Sequence, residues 1–451
     1  MTDREIGGLG AEPPDRVPGG NAQGKFGGLG AEPPVGVPGG GAPGGEFFTT
    51  LGVSEALAGF RPRRRSDTER VPREQALGRV PASAVVSPAP LPGFARSTVD
   101  GYAVRASDTY GASDSLPSYL DVLGSVRMGA AADVAVRPGA AVSVPTGAVI
   151  PDGADAVVMV EYTQSTLPGV VEVTRPVAPA DGIVRADEDV APGAELAPAG
   201  RPLRAQDLGL LAAAGVVDVD VTAKPRVGII STGDEVVPPD TVRLAAGQVR
   251  DATASALAAL VTEAGGEPSP RGIVPDDADM LTKTLEQAVS ECDMVVVSAG
   301  SSVGARDMTV SAVRALGEPG VFCHGLAIKP GKPTLLAECG DVPVIGLPGN
   351  PLSALVVFRL VGLPTLRLVG GITYPPPSAT TAARLSRSVP SAAGRLDVVQ
   401  VRLSGEVAPV ATPIFGASAL LSLLTTADGY VVVDEAATGL DENATVTVTR
   451  Y

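Results

Sequence analysis

Three acidic residues of this chain, Glu235, Asp276 and Asp307, stand just beyond short runs of β-branched residues. Each comes with glycines or hydroxyls, in Ser231-Thr-Gly-Asp-Glu235, Gly272-Ile-Val-Pro-Asp-Asp277 and Ser298-Ala-Gly-Ser-Ser-Val-Gly-Ala-Arg-Asp307. Carboxylates gathered in one cleft repel one another, and some take up protons unless a cation neutralises them. Oxygen ligands without Cys or His select a hard divalent ion such as Mg2+. A hard cation between carboxylates and a phosphate polarises phosphoryl oxygens, which suits cleavage of a phosphoanhydride. The glycine-rich turns add exposed backbone N–H groups that an anion can approach closely. A single acid here is equally well explained as a helix cap. Three acids on one rim are better explained as a site.

The elements that must carry these residues follow from the same pattern. Residues 226–230, 293–297 and 342–347 are apolar runs of strand length, and 272–277 holds a further short strand. Helical patterns at about 252–264 and 277–290 separate them, and an apolar helix begins near Ser353, after Pro348-Gly-Asn-Pro351. Strands alternating with helices imply βαβ units and a parallel or mostly parallel sheet. Ligands of such sheets bind outside the carboxyl ends of the strands, where Glu235, Asp276 and Asp307 fall.

These segments also resemble the MoeA-type molybdopterin molybdenumtransferases, to which the gephyrin E domain is related. The resemblance rests on Pro225-Arg-Val-Gly-Ile-Ile-Ser-Thr-Gly-Asp-Glu-Val, Asp276-Asp277, Ser298 to Asp307, Ile328-Lys-Pro-Gly-Lys-Pro333 and Gly346-Leu-Pro-Gly-Asn-Pro-Leu-Ser-Ala354. Further upstream, Ser97-Thr-Val-Asp-Gly-Tyr-Ala-Val104, Val144-Pro-Thr-Gly-Ala-Val-Ile-Pro-Asp-Gly-Ala-Asp-Ala-Val-Val-Met159 and Arg185-Ala-Asp-Glu-Asp-Val190 are similar to its other motifs. Ala427-Asp-Gly-Tyr-Val-Val-Val433 and Gly439-Leu440 fit its last domain, so the likeness spans roughly residues 46–451. It implies a multidomain α/β plus β fold, with a β-rich domain, an elongated linking domain, an α/β molybdopterin-binding (MogA-like) domain and a C-terminal β-barrel. It implies the substrates adenylylated molybdopterin and molybdate, with release of AMP. It assigns catalysis to Asp100, Asp189, Glu235, Asp276 and Asp307, with Mg2+ on Glu235, Asp276 and Asp307. Thr146, Gly300, Ser302, Gly304, Lys329, Lys332, Pro348, Gly349 and Asn350 would hold the pterin and the oxyanion. It further implies a homodimer whose sites draw Asp100, Thr146 and Asp189 from one subunit and the α/β acids from the other, and the pathway's adenylyltransferase as a partner.

The chain departs from the family pattern in places. The family commonly has glycine at Ala299 and Asp187, Glu at Ala305, Tyr at Met308, Arg at Val184 and near Gln400, a basic residue near Gly325 and Asn near Thr253. Ala417 interrupts its C-terminal glycine-serine element. The acids survive while several anion-binding positions do not. A divergent paralogue with a binding or scaffold role, or one acting on a different nucleotide-linked substrate, is therefore an alternative.

The remaining sequence sets bounds. At 451 residues, three or four structural units are expected. We assign 1–45 to a disordered Gly/Pro-rich tail, 46–86 and 193–222 to the linking domain, 87–192 to the β-rich domain, 223–372 to the α/β domain and 373–451 to the barrel. Helix is expected across much of 46–86. The tail repeats Gly7-Gly-Leu-Gly-Ala-Glu-Pro-Pro as Gly27-Gly-Leu-Gly-Ala-Glu-Pro-Pro. Such a composition buries too little surface to offset its ordering entropy. Thirty-five basic against fifty acidic residues leave a net charge of −15, and aromatics make up 3%. That balance argues against a nucleic-acid partner. Cys292, Cys323, Cys339 and the single His324 lack zinc-ligand spacing. Sparse cysteines suit a reducing cytoplasm. No apolar run reaches about 18 residues without a charge, the run at 354–360 being broken by Arg359, so no membrane span is expected.

Overall fold

The computed structural model describes residues 50–299 and 303–451. The tail and its repeat lie outside the described residues.

The α/β region is built on a six-stranded sheet. Its order is Glu267–Val274, Arg226–Thr232, Met294–Ser298, Val342–Leu347, Leu335–Cys339, Pro319–His324. The first four strands are parallel and the last two join antiparallel. The three apolar runs thus form the sheet centre: the first extends two residues to Thr232, the second is shifted by one to Met294–Ser298, and the third keeps its expected bounds. Successive side chains leave a strand on opposite faces, and two separate cores result. Val227, Ile229, Met294, Val296 and Ile345 pack under helix Ala252–Glu263 and helix Pro351–Val369. Ile230, Val295, Val297 and Val344 pack under helix Ala278–Glu291 and helix Val303–Ala315. Each fully buried side chain of this size contributes roughly 1.5–3 kcal/mol of transfer free energy. Cys323 belongs to this packing, and burial pushes its thiol up to about 11.

Helix Pro351–Val369 departs from the sequence expectation. It runs unbroken for 19 residues with mean hydropathy 1.8, passing Arg359 through one π-helical turn at Phe358–Gly362. It is long and apolar enough to cross a membrane, yet 67% of it is buried inside the fold, where it serves as a core helix.

Residues 50–86 also differ from expectation. Only Val53–Gly59 and the single turn Arg73–Gln75 are helical. Thr68–Pro72 is a strand paired antiparallel with Asp218–Thr222, and Val85–Val86 pairs with Glu195–Ala197. Pro62, Pro72 and Pro81 lack the N–H a helix interior needs, and the sheet partner lies far along the chain.

The β-rich region carries a sheet of order Ala156–Met159, Gly101–Val104, Ala140–Val144, Ser118–Ser125, Val170–Val173, Thr163–Gln164. The C-terminal region closes on itself. Leu396–Ser404 pairs with both Val410–Ile414 and Gly429–Val433, and Thr380–Leu385 and Thr445–Arg450 complete the barrel. Ile328–Lys329, from the α/β region, adds to the barrel beside Leu396 and Asp397.

Candidate active site

The sheet order arranges the sequence-predicted residues along one rim. Asp276 follows the edge strand, Glu235 its neighbour, Asp307 the next, and Pro348, Gly349 and Asn350 the fourth. The register is level: Thr232 pairs with Val274, Ser231 with Ser298, and Ser298 with Leu347. Gly300 and Ser302 lie outside the described residues. Gly304 and Asp307 are in the first two turns of helix Val303–Ala315, and Asp307 is exposed.

Two of the acids act on one another. Burial, then the charges of Asp234 and Glu235, hold the Asp276 carboxyl above its ordinary value. The Asp276 N–H donates to Asp234 Oδ1 at 3.1 Å. Asp234 is therefore a third member of this acidic turn. Sequence reasoning missed it, although it adjoins Glu235. Among the described residues, no three Asp, Glu, His or Cys side chains converge closely enough to ligate a metal ion by themselves. The donor chemistry nonetheless fits Mg2+, which keeps several waters and binds through one or two carboxylates plus substrate phosphate.

The other end of the rim opens into a cavity of about 700 Å³ between the α/β region and the barrel. Lys329, Gly331, Lys332, Pro348 and Asn350 line one wall; Arg395, Asp397, Gln400, Ala417 and Ser418 line the other. Both lysines are exposed. Gly331 has φ +126°, and a Cβ there would sit 2.4 Å from Val357 Cγ2, so only glycine lets this turn lie against the core helix. Asn350 stands at the N-cap of the core helix but makes no cap bond. Its Nδ2 donates instead to Ser418 Oγ at 3.0 Å, across the cavity mouth. The barrel wall was missed as a site, though Gln400 and Ala417 stand out as departures.

A third group lies in the β-rich region. Asp100 Oδ1 accepts from the Thr146 N–H at 2.7 Å and from its hydroxyl at 3.1 Å. Gly101 follows, and a Cβ there would meet the Val158 carbonyl oxygen at 1.9 Å. Asp100 is thus a carboxylate at the head of strand Gly101–Val104, which only glycine lets lie so close to the Val158 backbone. Asp189 is exposed, its N–H held by the Leu91 carbonyl. Asp100, Thr146 and Asp189 do not line the lysine cavity, and neither do Glu235, Asp276 and Asp307.

Three stretches of the chain match known family descriptions, in order: the "MoeA N-terminal region (domain I and II)" over residues 51–215, the "Probable molybdopterin binding domain" over 228–368, and the "MoeA C-terminal region (domain IV)" over 382–451. The chain belongs to the MoeA family. Among its relatives, molybdopterin molybdenumtransferase 2 of Mycobacterium tuberculosis is 34% identical over 387 residues, 85% of this chain and 93% of that protein. A molybdopterin molybdenumtransferase of Nostoc sp. is 36% identical over 311 residues, 68% of this chain and 71% of that one. The crystal structure of a molybdopterin biosynthesis MoeA protein from Pyrococcus horikoshii superposes with a TM-score of 0.78 at 32% identity, covering 89% of this chain and all of that one.

MoeA departures acquire physical form here. Asp187, where the family has glycine, has φ +60°. That region favours glycine but admits Asp. Ala299 is buried, its N–H held by the Leu347 carbonyl.

Proposed function

We propose that the chain is a molybdopterin molybdenumtransferase of molybdenum cofactor biosynthesis, taking adenylylated molybdopterin and molybdate and releasing AMP. The observation that carries this reading is the rim itself, on which an acidic turn and a lysine-lined cavity are joined by level parallel strands. Lys329 and Lys332, with backbone N–H groups at Gly349 and Gly304, hold the oxyanion and the pterin phosphate. Carboxylates from among Glu235, Asp276 and Asp307, one or two at a time with substrate phosphate and water, would hold Mg2+. When bound, that ion would polarise the phosphoryl oxygens of the anhydride. Burial and the charges of Asp234 and Glu235 hold the Asp276 carboxyl above its ordinary value, and a bound cation would act in the opposite direction.

Asp100, Thr146 and Asp189 complete the site from a second copy in a twofold homodimer. A working place in the cytoplasm beside the pathway's adenylyltransferase accords with this role. The test is to mix purified protein with adenylylated molybdopterin and Mg2+, add molybdate, and quantify AMP by chromatography. Molybdate-dependent AMP release is expected.

One observation favours a second reading. The barrel wall presents neutral Gln400 and Ala417, which suits a paralogue that binds without turnover or takes another nucleotide-linked substrate. Tight retention of the pterin nucleotide with no AMP release would support it.

A further inference from the structure

Phe415 follows strand Val410–Ile414 directly and lines the 700 Å³ cavity from the barrel side, facing the wall that carries Lys329 and Lys332. It is 50% exposed. A lone exposed apolar side chain on an open surface needs no explanation. A phenyl ring fixed in the wall of a cavity this size, in a chain with only 3% aromatic residues, does. The ring is fixed from outside the cavity. The Arg387 guanidinium lies over it, 4.7 Å from the centroid. Arg387 is not among the cavity-lining residues, and its Nη2 donates to the Pro413 carbonyl at 2.6 Å. The exposed remainder of the ring is therefore presented to the cavity, where Ile414 and Leu423 extend the same apolar wall. One wall offers a flat apolar platform and the other offers cations. Such a cavity suits a flat heterocycle that carries an anionic group.

We infer that Phe415 is the stacking platform for the pterin ring system, a binding residue that reads the aromatic end of the substrate while the lysines read its phosphate. Aromatic rings stack through offset faces, and the guanidinium behind Phe415 holds the ring ready, which lowers the ordering cost of binding. The substrate carries two flat bicycles, pterin and adenine. The pterin is the one that belongs here. Its phosphate is held by Lys329 and Lys332 in this same cavity, whereas Glu235, Asp276 and Asp307, which serve the anhydride, do not line it. The adenine lies beyond the anhydride. The inference rests on the function proposed above.

The experiment compares wild type with Phe415→Ala, Phe415→Leu and Phe415→Tyr. The readouts are affinity for adenylylated molybdopterin by calorimetry without molybdate or Mg2+, affinity for AMP, KM for the pterin substrate in molybdate-dependent AMP release, and Tm. Phe415→Ala and Phe415→Leu should bind adenylylated molybdopterin about tenfold more weakly and raise its KM to match, as expected for one lost ring stack. Phe415→Tyr keeps the ring and should stay within about twofold. AMP affinity should not change in any variant. Leucine keeps apolar bulk without a π face, so wild-type affinity in Phe415→Leu would overturn the stack. Loss of AMP affinity in Phe415→Ala would give the ring to adenine and overturn the assignment. Wild type that binds the substrate while all three variants bind it equally well would overturn the inference and leave the function standing. Wild type that binds no adenylylated molybdopterin would overturn both. Should Phe415→Ala lower Tm to the assay temperature, the comparison of Phe415→Leu with Phe415→Tyr decides.

Discussion

Asn350 Nδ2 donates to Ser418 Oγ at 3.0 Å, tying the loop after the fourth parallel strand to the barrel. The Leu352 N–H reinforces the tie by donating to the Ser418 carbonyl at 3.3 Å. Asn350 gives up helix capping to make this bond, so its side chain serves the cavity more than the helix. Asn350→Ala should raise KM for the pterin substrate several-fold while lowering stability in urea unfolding by only about 1 kcal/mol. A large stability loss with normal KM would assign it to the fold.

Gly101→Ala should damage the β-rich sheet. The added Cβ would lie 1.9 Å from the Val158 carbonyl oxygen, and the two strands pair in register there, so neither can yield alone. A loss of roughly 3 kcal/mol or more is expected, visible as an early step in thermal unfolding.

Asp276 should leave a mark on the pH profile of stability. Its folded pKa lies above the unfolded value, chiefly through burial and then through Asp234 and Glu235. Its favourable contribution is therefore complete below the ordinary carboxylate pKa near 4, and is lost as pH rises through the raised value. Asp276→Asn should flatten that part of the profile and should not destabilise the protein at pH 7. Millimolar Mg2+ should raise the Tm of wild type more than that of the variant.

Asp307 is exposed in helix Val303–Ala315 and should do little for the fold. Asp307→Asn should abolish AMP release with Tm unchanged or slightly higher. A Tm drop of several degrees would make it a structural residue instead.

If the sites are shared across a twofold dimer, two dead variants should rescue one another. Asp100→Asn and Asp307→Asn, mixed under conditions of subunit exchange, would pair at random into about half mixed dimers, each with one site free of both changes. About a quarter of all sites should recover. Exchange proven by mass spectrometry without any activity would place the site within one chain.

Local patterns in the sequence were enough to reveal the parallel strands at 226–230, 293–297 and 342–347, the glycine turns after them, and the acids Glu235, Asp276 and Asp307. A buried strand announces itself by a run of β-branched residues, and a strand-end turn by glycine and small hydroxyls, within about ten neighbours. The extended course of 50–86 was not legible. Its strand partner, Asp218–Thr222, supplies the hydrogen bonds that decide its conformation. The pairings that shape the site were equally hidden. Asp276 meets Asp234 across 42 residues of chain, Gln400 meets Tyr451 across 51, and Asn350 meets Ser418 across 68. No local propensity encodes contacts at such separations. They arise when two cores and a closed barrel bury their apolar faces together, and only that packing set an acidic turn and a lysine cavity in their places.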